Sequence, residues 1–484
     1  MPKIAKERTA ENQRRIEAAA LELFTKQGFH GTNSREIAEK VGVSSGAIYT
    51  YFPSKEAIFA TLAQRYRVRI EEWLGQILTL LSDPLSKSNL KKFASAIHLK
   101  MGDDPEYLLM LLSDVIEFKN QHFLETFHDV PQQVRDLIGP ALSRVKKQPD
   151  WCGEDPAFVL ASVYLYFFTY ALLELHMQGE NHLGLPHEEA MERFIDLLSR
   201  GMWRSRPEGL SQGNRQRKGR DYLTKLRTMH KEVRDRVSYI RFLSGRLWTS
   251  PPDMPPHDSE TSGGRQPATP AMLFFPEIPR DRIDESQIRI EQAALELFTK
   301  QGFHGTNIRD IAEKAGVSLG AIYAYYPSKE MIFEGLVRSY RHCMRKFLER
   351  VFRALEEPFS PAGLRFFAEA IRSTVYNDAG YWLLMYIDVI EFKNHHFANL
   401  FHNVPEQFRR LLGPNISQVK KQPGWCGQDP ALVMAMIYFY LVTYFIIEKL
   451  MHGNQHLGIS DEEVMDRFIT MLSTGLWQSG PKKH

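Results

Sequence analysis

Cysteine is scarce: Cys152, Cys343 and Cys426 are the only three in 484 residues. Three thiols cannot build a disulfide framework, and their spacing fits no metal-ligand pattern, so a reducing, cytoplasmic setting is expected. The opening MPKIAKERTAENQRR has no apolar stretch behind its charges, so no signal peptide is expected. Charge of one sign is not in excess either, the formal net charge being +3. Its distribution is uneven. Between Arg206 and Arg246 stand twelve Lys/Arg against four Asp/Glu, which leaves the rest of the chain mildly acidic. Long hydrophobic runs are limited to two uncharged stretches, 157–173 and 431–447. A membrane-spanning helix wants about 20 apolar residues. Both stretches are shorter, carry tyrosines in mid-segment (Tyr164, Tyr166, Tyr170; Tyr438, Tyr440, Tyr444) and end at Glu174 and Glu448. Helices buried between protein surfaces are therefore expected. The rest of the composition, 43% hydrophobic and 25% charged, is that of an ordinary globular protein of several domains and excludes collagen-like or disordered chains.

What the chain has is a duplication. ALELFTKQGFHGTN stands at 20–33 and again at 294–307, DVIEFKN at 114 and 388, and Trp-Cys-Gly at 151 and 425. Trp203 is matched by Trp477. The offset is the same throughout, so two copies align without a gap, and a period this long marks a duplicated domain pair and not a solenoid. Between them lies a unique insert, 206–280. Its second half is Pro/Gly/Ser-rich and reads as linker. In its first half Leu223, Leu226, His230, Val233, Val237, Ile240 and Leu247 recur every three to four residues among Arg and Lys, which predicts a basic amphipathic helix. Packing of its apolar stripe on a repeat is the first reading, ahead of contact with DNA phosphates or an anionic membrane. A flexible chain of about 75 residues reaches roughly 50 Å, enough to let the copies meet.

Within copy one, Ile16, Ala20, Leu23 and Phe24 share a helical face that Gly28 ends. Asn33-Ser-Arg-Glu36 reads as a capping box for a second helix with Ile37, Ala38 and Val41 inward. Gly42-Val43-Ser44 is a short turn whose serine can cap a third helix over 45–52, stopped by Pro53. Ser54-Lys55-Glu56 starts a long fourth helix with Ile58, Phe59, Leu62 and Tyr66 inward. Two helices joined by a glycine-containing turn make a helix-turn-helix. The run GFHGTNSREIAEKVGVSSGAIYTYFPSKEAIF, repeated as GFHGTNIRDIAEKAGVSLGAIYAYYPSKEMIF, resembles the DNA-binding signature of TetR-type transcriptional repressors. Gly, Thr, Ile-Ala, Gly-Val-Ser, Gly, Tyr and Lys stand at the family spacing twice over.

The resemblance implies an all-α fold of two tandem TetR-like repeats, each a three-helix DNA-binding domain followed by a helical effector and dimerisation domain. The expected boundaries are 1–56, 57–205, 206–280 for the insert, 281–330 and 331–484. It implies that the third helix enters the major groove. In copy one Thr32, Asn33, Arg35, Ser44, Ser45, Gly46, Tyr49, Thr50, Tyr51 and Lys55 would meet DNA. In copy two the set is Thr306, Asn307, Arg309, Ser318, Leu319, Gly320, Tyr323, Ala324, Tyr325 and Lys329. Thr32, Asn33, Tyr51 and Lys55 would hold phosphates, the lysines standing on exposed turns. Ser45/Leu319, Thr50/Ala324, Phe52/Tyr326 and Ser34/Ile308 differ between copies, which predicts an imperfect inverted repeat of double-stranded DNA as the operator.

The effector halves, 70–204 and 344–478, offer Trp73, Phe118, Phe123 and Tyr164 as lining for a greasy pocket, or equally as packed core. A ligand there would be an apolar or aromatic small molecule, acyl-bearing ones included. Histidines at 122/396, 128/402 and 182/456 stand beside Asp114/Asp388 and Glu117/Glu391, but none pairs at the i, i+4 spacing of a helical zinc site. Satisfied histidines, no metal and no cofactor are expected. Gly42-Val-Ser44-Ser-Gly46 and its duplicate satisfy the G-x-S-x-G nucleophile elbow, which requires a preceding strand. The segment 35–41 has helical spacing instead, so no catalytic residue is assigned. The last two helices of each copy, 156–178 with 188–203 and 430–451 with 462–477, are expected to form a four-helix seam. Phe168 becomes Val442 and Ala171 becomes Phe445, a size exchange predicting that copy one packs on copy two as a pseudo-dimer, with a homodimer of chains as the alternative. A different class of function stays open: an all-helical architectural protein whose basic insert binds DNA or membrane without sequence preference.

Overall fold

The computed structural model describes residues 2–177, 182–202, 285–398, 400–451 and 455–475. The insert 206–280, with its expected basic helix and linker, lies outside the described residues, as do Trp203 and Trp477. Everything regular among the described residues is helical. Copy one comprises α1 (Pro2–Gln27), α2 (Ser34–Val41), α3 (Ser45–Tyr51), α4 (Lys55–Thr79), α5 (Lys87–Asp103), α6 (Pro105–Phe118), α7 (Val130–Lys146), α8 (Pro156–His176) and α9 (His187–Arg200). Copy two repeats the order as α10 (Glu285–Gln301), α11 (Ile308–Ala315), α12 (Leu319–Tyr325), α13 (Lys329–Ala354), α14 (Pro361–Asn377), α15 (Ala379–Phe392), α16 (Val404–Leu412), α17 (Pro414–Lys420), α18 (Pro430–Leu450) and α19 (Asp461–Thr474).

Helix starts follow local chemistry. Ser54, Ser86, Asp129 and Asp155 in copy one, and Ser328, Ser360, Asn403 and Asp429 in copy two, each accept a first-turn backbone N–H. One element differs between the copies. Pro140 sits inside α7, which kinks at Ile138, whereas in copy two Gly413 (φ 53°) separates α16 from α17 altogether. A proline inside a helix removes a backbone donor and crowds the preceding turn, so either outcome relieves the same clash. The boundaries expected at 56 and 330 fall in the first turn of α4 and α13, which run unbroken from the reading unit into the effector half.

Helices α8 and α18 are long and apolar enough to cross a bilayer, yet both are packed inside the protein. Each is wrapped by its own copy, α8 by α5 and α7, α18 by α14 and α16, and the two also pack on each other. Helix α9 meets α19 beside them. Polar contacts stitch this seam: the Tyr440 hydroxyl donates to Ser162 Oγ (3.2 Å), and Met202 N to Leu472 O (2.6 Å). A pseudo-symmetric pair joins loop to helix start, Val130 N to His456 O and Val404 N to His182 O, both 2.8 Å.

The two large residues of the expected size exchange make ring contacts inside their own copies. Phe168 meets Phe127 and Tyr164, and Phe445 meets Tyr376 and Tyr444. Spacing along a helix identifies a shared face but not the neighbour that covers it. Tight complementarity lies where α9 and α19 end. Gly201 (φ 73°) and Gly475 (φ 77°) cross backbone to backbone, and a Cβ on either would run into the other's amide. Both φ values favour glycine as well. Gly475→Ala should therefore lower stability by about 1–3 kcal/mol through overpacking and backbone strain. An unchanged denaturation midpoint would show that this crossing is not a tight contact.

Candidate nucleic-acid interface

The reading unit of each copy is built by caps. Asn33 Oδ1 accepts Glu36 N (3.0 Å) while Glu36 Oε2 accepts Asn33 N (3.2 Å), completing the capping box at the start of α2. In copy two Asn307 Oδ1 accepts both Arg309 N and Asp310 N, the shorter aspartate leaving the reciprocal bond out of the observed cap. Gly42 (φ 79°) and Gly316 (φ 65°) take the left-handed conformation that turns the chain from α2 to α3 and from α11 to α12. Ser44 and Ser318 then cap the next helix through Ala47 N and Ala321 N. No strand precedes either Gly-Val-Ser turn among the described residues, so the nucleophile-elbow geometry is missing.

Helices α3 and α12 are seven residues each and bury one side chain fully, Ile48 and Ile322. The other side is turned outward. Ser44, Ser45, Gly46 and Thr50 are exposed in copy one, and Ser318, Gly320 and Ala324 in copy two, with Leu319 half-buried. Tyr49 and Tyr323 are 54% and 50% exposed, large aromatic surfaces that the fold itself does not use. A Cβ on Gly46 would meet nothing within 4 Å. Internal packing therefore does not require glycine there. A bare backbone on an open helix face is what close approach by an outside partner needs. Asn33 and Asn307 are exposed, and Arg35 is 81% exposed beside Glu39, with Arg309 exposed likewise.

Three expected phosphate contacts, Lys55, Thr32 and Tyr51, sit differently, as do their counterparts in copy two. Lys55 is not on an exposed turn: its Nζ donates to Phe29 O (2.7 Å) and Thr32 O (2.6 Å) and lies 4.1 Å from the Phe29 ring. Lys329 repeats this on Phe303 O and Thr306 O. Burial lowers both ammonium pKa values from the ordinary lysine range. Thr32 and Thr306 are buried, their hydroxyls donating back to Gly28 O (2.9 Å) and Gly302 O (2.8 Å). Tyr51 is half-buried, its hydroxyl accepting from Asn12 Nδ2 (2.7 Å), and Tyr325 is half-buried too. In the turn before α2, Thr32 N already donates to Phe29 O (3.1 Å), and the lysine adds a second donor there and one for Thr32 O. Of the differences between copies, Phe52/Tyr326 is interior: both rings are buried, and the Tyr326 hydroxyl donates to Glu291.

Sequence reasoning missed where the two reading units meet. A Cβ on Gly31 would strike the His304 side chain, and one on Gly305 the His30 side chain, so the turn of each unit lies on the other's. Beneath this contact are Glu117 and Glu391, the glutamates of the repeated DVIEFKN, each with only 4% of its side chain exposed. Glu391 accepts Phe303 N (2.9 Å) and His304 N (2.6 Å), and His30 Nε2 lies 2.9 Å from Glu117 Oε2. Phe118 packs between Phe29 and Phe59, which makes it part of the joint between reading unit and effector half and not pocket lining. Phe123 is buried in the turn that Asp114 caps. Asp114 also holds His122 (2.6 Å), and Asp388 holds His396 in the same way, so those histidines are satisfied as expected.

The family profile of bacterial regulatory proteins, tetR family, matches residues 16–62 and 290–336, the two reading units. The chain thus carries two tetR-family matches in tandem, one in each copy. It is 31% identical over 132 residues to the HTH-type transcriptional regulator YerO of Bacillus subtilis, covering 27% of this chain and 46% of that one. It is 34% identical over 92 residues to the HTH-type transcriptional regulator RutR of Escherichia coli, covering 19% of this chain and 41% of that one. The matches thus span less than half the length of these relatives.

Two outcomes follow from this geometry. Lys55→Ala removes the side-chain donor from the carbonyls of Phe29 and Thr32, so it should reduce both thermal stability and DNA affinity while leaving the salt dependence of binding unchanged. Arg35→Ala should instead flatten that dependence by about one phosphate contact with little loss of stability. Affinity titrations at several salt concentrations separate the two, and a flattened slope for Lys55→Ala would return it to the phosphate contacts. The Glu391 carboxyl is pushed up to about 7, first by burial and also by Glu117, against the two N–H donors and Lys329. A folded-state pKa above the unfolded one means the folded chain binds the extra proton, so its contribution to stability is lost as pH rises from about 4.5 to 7. Glu391→Gln should remove that slope. Denaturation midpoints across pH 4–8 with the same slope in both proteins would contradict it.

Proposed function

We propose that this chain is a ligand-responsive transcriptional repressor of the cytoplasm that reads an imperfect inverted repeat with both reading units of one polypeptide. The observation that carries this is the pair of outward faces on α3 and α12, small and open at Gly46 and Gly320 and flanked by Tyr49 and Tyr323. Ser44, Ser45 and Thr50, with Ser318, Leu319 and Ala324, would reach base edges and thymine methyls. Asn33, Arg35, Asn307 and Arg309 would hold phosphates. The bonds between copies support an intramolecular pseudo-dimer, whose readers would then stand about one DNA turn (~34 Å) apart.

Release would come from a small molecule in the effector half. Tyr107, Tyr164 and Tyr166 are buried with hydroxyls that find no hydrogen-bond partner among the described residues. Buried polar groups are normally satisfied, which favours an apolar or aromatic ligand with a polar end, such as an acyl carbonyl.

Selection of bound sequences from random DNA tests the reading. An inverted repeat with half-sites unlike at one or two positions is expected, and sequence-blind, length-dependent binding would favour an architectural role instead. Exchanging Ser45 and Leu319 should shift one position in each half-site. Gly46→Ala should raise helix stability by roughly 0.5–1 kcal/mol yet weaken operator binding, and full affinity would remove this face from the interface. Light scattering should give the mass of one chain, whereas a stable dimer of chains would defeat the pseudo-dimer.

A further inference from the structure

Folding brings together three side chains far apart in the sequence: His98 on α5, Glu174 in the last turn of α8, and His187, the first residue of α9. Their donor atoms all lie within 4.8 Å of one another. His187 Nδ1 is 2.8 Å and His98 Nδ1 3.4 Å from the same oxygen, Glu174 Oε2. His98 Nδ1 is buried and makes no hydrogen bond, and the two imidazoles face each other with ring centres 3.7 Å apart. The side chains of His98 and His187 keep 30% and 24% of their surface, so the cluster opens to solvent on one side. Tyr170 hydrogen-bonds Glu174 from behind, an outer partner of the kind that orients a ligating carboxylate.

Copy two provides an internal control. The constant offset places Arg372, Glu448 and Asp461 at the same three positions. There each group is already committed. Glu448 accepts Gln455 N and His456 N, both 2.8 Å, together with the His456 ring. Asp461 accepts the hydroxyls of Tyr444 (2.7 Å) and Tyr376 (3.1 Å), and Arg372 pairs with Glu369. The duplicate closes this corner with its own donors and acceptors. In copy one Glu174 Oε2 stands at hydrogen-bond distance from His187 and faces His98, whose Nδ1 makes no hydrogen bond.

We propose that His98, Glu174 and His187 form a binding site for one divalent transition-metal ion per chain, in copy one alone. Two imidazoles and one carboxylate are a zinc-class ligand set, whereas calcium and magnesium take oxygen ligands throughout. Tetrahedral zinc with bonds near 2.0–2.1 Å separates its ligand atoms by about 3.3 Å, and the observed 2.8 and 3.4 Å bracket that value. The solvent side supplies the fourth ligand as water. The ion would tie α5, α8 and α9 together beside the loop whose His182 O receives Val404 N from copy two and whose His182 ring packs on Phe439. It lies apart from both reading faces and goes beyond the regulatory reading.

The test uses the full chain, with its cysteines alkylated, dialysed against micromolar Zn(II) and freed of excess, with bound metal measured by mass spectrometry. Co(II) absorption reports the ligand geometry. About one zinc per chain is expected. The double variant His98→Arg with His187→Asp gives copy one the residues that copy two already accommodates. Loss of a single outer partner weakens metal binding by about 10- to 100-fold, so loss of two ligands should weaken it by more than about 100-fold. Wild-type chain that retains no zinc, or a double variant that retains as much, overturns the proposal. Circular dichroism checks the variant's fold, and should it unfold, His98→Asn is measured in its place against the same two outcomes.

Discussion

Every residue of α8 from Pro156 to Leu173 and of α18 from Pro430 to Ile447 is buried, and that requirement organises the rest of the molecule. A helix apolar on all sides needs cover on all sides. Helices α5 and α7 supply part of it for α8, as α14 and α16 do for α18, and α8 and α18 also cover each other. Leaving a Leu- or Phe-sized side chain in water forfeits roughly 1.5–3 kcal/mol. A face of four or five such residues would offset most of the about 5–15 kcal/mol that keeps a typical domain folded. The two copies are thus halves of one core.

From that seam the geometry of the readers follows. Helices α6 and α15 pack on each other and each also touches both α1 and α10. The reading units are therefore held against a shared floor and do not swing from separate stalks. The repeated DVIEFKN serves both ends of this floor. Its glutamates sit beneath the junction of the two units, while its last residue, Asn120, donates to Met451 O (2.5 Å) across the copies. A ligand that shifted α6 against α15 would move both readers together, because the turn at 29–31 lies on the turn at 303–305.

What was legible in the sequence was what local chemistry dictates. Periodicity, the capping box at Asn33 and the left-handed turn at Gly42 placed the end of α1, both ends of α2 and α3 and the start of α4 to within a residue or two, because each depends on neighbours along the chain. Tyr49 and Gly46 were legible as surface for the same reason: one inward residue, Ile48, fixes the face of a seven-residue helix. Lys55 was misplaced because its partners, the carbonyls of Phe29 and Thr32, lie 26 and 23 residues away, and charge alone suggests solvent. For Phe168 and Phe445 helical spacing gave a shared face but not their ring neighbours within each copy. The cluster of His98, Glu174 and His187 was illegible, since spacings of 76 and 13 residues match no helical or loop metal motif.

Duplication within one chain changes what a two-fold assembly can hold. In a homodimer every substitution is made twice, so a residue that helps one half-site or one pocket must be tolerated in the other. Here copy one has Ser45 where copy two has Leu319, and His98 and His187 where copy two has Arg372 and Asp461. The seam, the caps and the buried glutamates are shared by both copies because the fold needs them on both sides. Divergence is free at outward faces and at corners such as this one, which either half can close in its own way. An asymmetric operator and a ligand site in one half then become compatible with a symmetric core. The physical condition is only that the exchanged side chains leave α8 and α18 covered.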